Sequence, residues 1–269
     1  MTDKESPFTR LRLEKDGAVS RVTLSRPEVR NAFDDVLILE LTQAFARIAA
    51  DSETRVVVLA GDGPSFCAGA DVNWMRKAGG FSRAENEADA ARMAKMLRSI
   101  DACPKPVVAL AHGAAIGGGV GLVAAADIAI AAEGTVFALA EVKLGILPSV
   151  ISPYVLRAIG PRAARDLFLT GDRFDAREAH RIGLVHAVVP AEELTAAGAR
   201  KVSSLLSSGP EAVRIAKGLI EKVTGLGAEA AMPLTVQTIA ERRASDEAKE
   251  GLTAFLEKRP PSWAVKKPS

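Results

Sequence analysis

The stretch 105–133, KPVVALAHGAAIGGGVGLVAAADIAIAAE, reads as a strand, a glycine-rich turn, a short helix and a second strand. VVALA and IAIAA are continuous apolar runs, the pattern of strands buried on both faces of a parallel sheet. GGGVGLVAAA (117–126) carries only small or aliphatic side chains, so the helix it forms is packed tightly on all sides. Outward from this unit the same alternation recurs. RVVVLAG (55–61) is another buried strand, and TVFAL (135–139) a shorter one. Residues 31–51 place Val36, Leu37, Leu39, Leu41, Phe45 and Ile48 at helical spacing, with Asp34 or Asp35 as the candidate cap. Residues 83–102 form a polar amphipathic helix that stops before Pro104. FTRLRLE (8–14) and AVSRVTLS (18–25) alternate around Asp16-Gly17 and predict a hairpin. Strands alternating with helices define the α/β class.

The character changes after VHAVVP (185–190), the last strand signal. Helical patterns cover 193–206, 210–223, 228–244 and 246–258, and Pro210 suits a first helical turn. Helices with wide apolar faces and no strands of their own need a partner surface. The expected division is a core over residues 1–200 that holds the site, followed by a helical oligomerisation region over 201–269.

The chain has 269 residues, 48% hydrophobic and 25% charged, with 35 Lys plus Arg against 33 Asp plus Glu, a net charge of +2. This composition excludes a disordered chain. The near balance argues against a nucleic-acid partner, which calls for a basic face. The two cysteines, Cys67 and Cys103, make neither a disulfide framework nor a metal cluster. MTDKESPFTR has no apolar segment of a signal peptide. The longest apolar run, 120–132, is broken by Asp127 and is too short to span a bilayer. No metal, no membrane and a cytoplasmic location are expected.

Three segments could carry chemistry. SFCAGAD (65–71) follows a strand, and its small residues let backbone amides approach a ligand, although many such turns only change chain direction. HGAAIGGGVG (112–121) opens a helix, where free N–H groups suit an anion or an oxygen that gains charge during reaction. Gly119, Gly121 and Ala124 also fit a dinucleotide fingerprint, but Glu133 comes fourteen residues after Gly119, where an acid about twenty residues on is required. Glu141 lies between apolar segments, where burial raises a carboxyl pKa and suits it to proton transfer; a salt bridge to Lys143 is the plainer role. His112, His180 and His186 sit in no nucleophile or zinc motif, and Cys67 has no histidine nearby in sequence.

Taken together and in order, SFCAGADVNWM (65–75), HGAAIGGGVGL (112–122), ALAEVKLGILP (138–148), LTGDRFDAREAHRIGLVHAVVP (169–190) and EGLTAFLEKRPPSW (250–263) resemble the crotonase, or enoyl-CoA hydratase/isomerase, superfamily. The resemblance implies a spiral of β-β-α units with a C-terminal helical trimerisation region, in trimers or hexamers. It implies an acyl-CoA thioester substrate, with coenzyme A as part of that substrate and no further cofactor. By motif position the amides of Ala68 and Gly118 would form an oxyanion hole. Ala68, Gly69, Ala70 and Asp71 would line the coenzyme A passage, and Trp74 and Met75 the acyl pocket. Phe255, Lys258 and Trp263 match a C-terminal signature that approaches coenzyme A, in some members from a neighbouring subunit. Glu141 matches the second of two catalytic glutamates.

The position of the first glutamate is Gly121. GGGVGLVAAADIAIA (117–131) and AEVKLGILPSVISPYVLRAIGPRAAR (140–165) are similar to bacterial methylglutaconyl-CoA and isohexenylglutaconyl-CoA hydratases, enzymes of leucine and acyclic-terpene breakdown, which share that glycine. This implies a branched acyl group with a distal carboxylate, and Gly121 is expected to leave room for it or for a substrate-held water. Alternatives are a single-glutamate isomerase or decarboxylase, a non-catalytic or RNA-binding protein on the same fold, and a nicotinamide-dependent oxidoreductase.

Overall fold

The computed structural model describes residues 8–264. The outermost residues of both expected regions, 1–7 and 265–269, lie outside the described residues. The alternating N-terminal segments form β1 (Leu11–Asp16) and β2 (Val19–Leu24), an antiparallel hairpin. Helix α1 (Asp35–Ala50) follows, capped by Asp34, whose carboxylate accepts the Leu37 amide at 2.7 Å. Then come β3 (Val56–Gly61), α2 (Val72–Ala78) and α3 (Arg83–Asp101), the last opened by a reciprocal Ser82–Glu85 capping box.

The stretch that decides the fold becomes β4 (Val107–Ala111), β5 (Ala114–Ile116), α4 (Gly118–Ala125) and β6 (Ile128–Ala132). Strand β7 (Val136–Ala138), α5 (Ser152–Thr170, interrupted at Gly160), β8 (Arg173–Asp175), α6 (Ala176–Arg181) and β9 (Ala187–Val189) complete the core. Strands β1-β2-β3-β4-β6-β9 form one sheet in that order, parallel from β2 onward. Strands β5-β7-β8 form a second, smaller sheet. The units β4-β5-α4 and β6-β7-α5 each send their first strand to the large sheet and their second to the small one. This is the expected spiral of β-β-α units. Strand β5 is absent from the sequence reading, because three residues of an alanine- and glycine-rich run carry no period.

The main core lies between the large sheet and helices α1, α3, α4 and α5, around Phe33, Phe45, Phe66 and Phe137. The other face of that sheet is covered by α7 (Leu194–Leu206). The expected boundary at 200/201 is corrected here, because it falls inside α7. Leu194, Ala197 and Val202 of this helix are buried against Val58, Val108, Leu110 and Ile130, so α7 belongs to the core.

Helices α8 (Pro210–Val223), α9 (Ala228–Ala244) and α10 (Asp246–Leu256) follow, and no strand occurs after Val189 among the described residues. Lys217 of α8 donates to Asp127 at 2.7 Å. The Glu247 carboxylate of α10 accepts the first two amides of α8, from Glu211 and Ala212, each at 2.9 Å. Met232, Val236 and Ile239 stay exposed along one stripe of α9, with Leu252, Phe255 and Leu256 exposed on α10.

Candidate active site

The loop after β3 passes between two backbone segments and pairs with both. Its Cys67 bridges to Ala115: the Cys67 amide donates to the Ala114 carbonyl and the Ile116 amide to the Cys67 carbonyl, each at 3.0 Å. On the other side it pairs with residues 30–33. The Ala68 amide donates to the Arg30 carbonyl at 2.9 Å, Phe33 to Gly69 at 2.7 Å, and Asp71 to Phe33 at 2.8 Å. The alternation of a parallel bridge leaves Ala70 with its own N–H directed away from Phe33. Among the described residues that amide has no acceptor. Ala68 is therefore corrected as the expected oxyanion donor. Its N–H is consumed inside the fold, and Ala70, two residues on, presents the free one.

The second amide comes from the start of α4. Gly117 takes φ +51°, a conformation that favours glycine, and turns the chain from β5 into the helix. The Gly118 N–H then stands in the first helical turn with no acceptor among the described residues. Ala70 and Gly118 both line a cavity of about 810 Å³.

Glu141 enters the same cavity from a tight 3-10 turn, Ala140–Leu144, directly after β7. A Cβ placed on Gly117 would lie 2.9 Å from Glu141 Oε1, so the carboxylate rests against a position that has no side chain. Glu141 Oε2 is buried with no hydrogen-bond partner among the described residues. Burial raises the carboxyl pKa above the usual glutamate value, partly offset by its own amide. The plainer role weighed for Glu141, a salt bridge to Lys143, is not seen. Lys143 pairs instead with Asp172, at 3.2 Å.

The remaining expected residues divide. Ala68, Gly69, Ala70, Trp74, Met75 and Gly118 line the cavity. Gly121 does not, and the space expected there is filled: a Cβ on Gly121 would meet Ile151 Cγ2 at 2.3 Å and Leu97 Cδ2 at 3.5 Å. Asp71 faces inward, paired with Arg26 at 3.0 Å and accepting the Asn73 amide at the start of α2. Burial pushes its pKa up, but the Asn73 amide and Arg26 bring it below the usual range. Phe255 is 80% exposed on α10. Trp263 packs on Gly251 and donates Nε1–H to the Ser207 carbonyl at 3.3 Å. Neither they nor Lys258 lines the cavity within this chain.

Sequence reasoning missed Phe33, Met93 and Ile151 as walls. Phe33 and Met93 approach Gly118 so closely that a Cβ there would lie 2.8 Å from each. Cys67 is buried, with its thiol pushed up to about 12 by desolvation, and is inert as a nucleophile. His112 bonds the Gly63 carbonyl and His186 the Ala129 amide, so neither is poised beside a nucleophile. Two unspent amides and one poorly solvated carboxylate on a mostly apolar wall can stabilise an oxygen that gains charge and move a proton beside it.

Among the described residues no helix is long and apolar enough to cross a membrane. The family model for enoyl-CoA hydratase/isomerase matches residues 14–266. A crotonyl-CoA hydratase of Syntrophomonas wolfei is 35% identical over 94% of this chain and 97% of its own length. A short-chain-enoyl-CoA hydratase of Clostridium acetobutylicum is 33% identical over 92% of this chain and 94% of its own. The crystal structure of an enoyl-CoA hydratase from Shewanella pealeana superposes with a TM-score of 0.92 at 40% identity, covering 96% of this chain and 97% of that one.

Proposed function

The chain belongs to the enoyl-CoA hydratase/isomerase family, and we propose that it adds water across the double bond of an α,β-unsaturated acyl-CoA, or removes it. The observation that carries this reading is the convergence of Ala70, Gly118 and Glu141 on one cavity. The thioester oxygen accepts hydrogen bonds from the Ala70 and Gly118 amides. Water oxygen bonds to the β-carbon while Glu141 takes one of its protons. The double-bond electrons move toward the carbonyl, and charge builds on the oxygen held by the two amides. The enolate then collapses, and its α-carbon takes the proton from Glu141, so that one water has been added and the carboxylate is restored. Each donor of this kind is worth about 3–4 kcal/mol in the transition state. Coenzyme A arrives as part of the substrate.

The acyl group we propose is branched and carries a distal carboxylate, as in methylglutaconyl-CoA. Trp74, Met75, Met93 and Ile151 offer apolar wall to the branch, and Lys143, which would have to exchange its exposed pairing with Asp172, is the one cation among the cavity's described lining residues that could meet a carboxylate. A second reading, isomerisation by a single carboxylate, is favoured by the absence of any other acid from that lining. We place the enzyme in the cytoplasm, as a homotrimer or hexamer joined through the C-terminal helices.

The test is a panel of crotonyl-, 3-methylcrotonyl-, 3-methylglutaconyl- and isohexenylglutaconyl-CoA with products resolved by mass. Gain of one water on the glutaconyl substrates supports the proposal. Unchanged mass with a shifted double bond supports the isomerase, and loss of carbon dioxide a decarboxylase. No turnover, with salt-dependent RNA binding instead, overturns the enzyme reading.

A further inference from the structure

Arg26 lies two residues past the end of β2, and its guanidinium is buried beneath the loop that presents Ala70. Nη1 donates to the Ala32 carbonyl at 2.5 Å. Nη2 donates to Asp71 Oδ2 at 3.0 Å and lies 3.2 Å from Asp34 Oδ2. The Arg26 amide donates to Asn31 Oδ1 at 2.8 Å, and Asn31 Nδ2 reaches the carbonyls of Asp62 and Ser65, each at 2.8 Å. The two carboxylates cap different helices, Asp34 on α1 and Asp71 on α2. Asp34 Oδ2 is shared with Arg10, whose Nε lies 3.2 Å away, whereas Asp71 pairs with Arg26; the positive ends of both helices add to the balance. These contacts span the same pairing of residues 30–33 with 68–71 that leaves the Ala70 amide bare.

We infer that Arg26 is a positioning residue for the Ala70 amide: by bridging Ala32, Asp34 and Asp71 it holds the 68–71 segment in register, so that the Ala70 N–H points into the cavity. Arg26 itself does not line that cavity and touches no substrate. A hydrogen bond to a developing oxyanion weakens steeply as its angle closes, so a small tilt of this segment reaches the chemistry. A methionine at this position leaves the buried Asp71 carboxylate without its cation, and Asp34 with Arg10 alone. A lysine keeps the charge but lacks the planar fork that spans three acceptors. The inference rests on the reading of Ala70 and Gly118 as thioester donors.

The test uses the full-length protein with bound butyryl-CoA, which has the thioester but no reacting double bond, followed by isotope-edited infrared spectroscopy of its carbonyl. In the parent enzyme binding lowers the carbonyl stretch. Arg26→Met is expected to lose most of that lowering and at least about tenfold in kcat, with KM changed less than about threefold. Arg26→Lys recovers part of both. Asp71→Asn keeps a cap oxygen for Asn73 but removes the charge that faces Arg26, and it also loses part of the lowering. It stands in where Arg26→Met does not fold. A folded Arg26→Met or Asp71→Asn variant that is less stable yet keeps the full lowering and kcat overturns the inference and leaves Arg26 structural. If the parent enzyme itself shows no lowering, the donor reading falls and the inference with it. Glu141→Gln, which leaves both amides in place, is the control that keeps the lowering while losing turnover.

Discussion

Ile151, from the turn that leads into α5, fills the volume that a side chain at Gly121 would need: its Cγ2 lies 2.3 Å from the position of a Gly121 Cβ. Gly121 is a buried residue of α4, and Ile151 lines the cavity on its other side. The missing first glutamate has therefore left a packed wall rather than a vacant acid position.

Gly121→Glu is accordingly expected to lower stability by about 1–3 kcal/mol through overpacking, without a gain in turnover of branched substrates. Ile151→Gly in the same chain relieves part of the loss. Urea denaturation of the single and double variants measures both effects. A Gly121→Glu enzyme of parental stability and higher turnover would contradict the packing seen here.

Glu141→Gln is expected to reduce kcat by about 10²–10⁴-fold with little change in binding of a saturated acyl-CoA. The parent rate should rise with pH through a midpoint above the ordinary glutamate range, because burial raises the carboxyl pKa. The same shift has a thermodynamic sign. The folded state holds this proton more tightly than the unfolded state, so stability falls as pH rises from the ordinary glutamate pKa through the raised one. Above the raised pKa the cost is fully present, and glutamine removes it. Thermal melts should place Glu141→Gln above the parent at neutral pH, with the gap closing in acid.

His186 behaves in the opposite sense. Its Nδ1 accepts the Ala129 amide at 3.1 Å, and burial, reinforced by Lys201, lowers its pKa. The unfolded chain binds this proton more readily, so the stabilisation is present above the ordinary histidine pKa and is lost as pH falls through the lower folded value. His186→Gln should flatten that part of the melting-temperature profile. An unchanged acid limb would show that His186 contributes nothing to it.

The stripe of Met232, Val236 and Ile239 on α9 is the expected seam between copies of the chain. Val236→Asp combined with Ile239→Asp should shift sedimentation velocity toward a monomer while the core helices retain their circular dichroism. A parent chain that already sediments as a monomer contradicts the proposed assembly.

The hairpin, the buried strands and the C-terminal helices were legible because each carries its own period, and Glu141 because an acid between apolar segments is conspicuous. Strand β5 was not legible, because Ala114–Ile116 is too short to show alternation and its partner β7 lies beyond α4 and β6. The division of labour between Ala68 and Ala70 was not legible either. Both are alanines in one small-residue run, and only the pairing with residues 30–33 consumes one amide and spares the other.

Local pattern and residue type were enough for the α/β class, for the order of the site-bearing segments and for Glu141 as the acid set between apolar runs. Tertiary structure alone decided which amide is free, that Ile151 closes the space over Gly121, and that Arg26 joins two helix caps beneath the loop. Those outcomes depend on which segments distant in the chain pair and in what register, and a period along one segment carries no record of its neighbour.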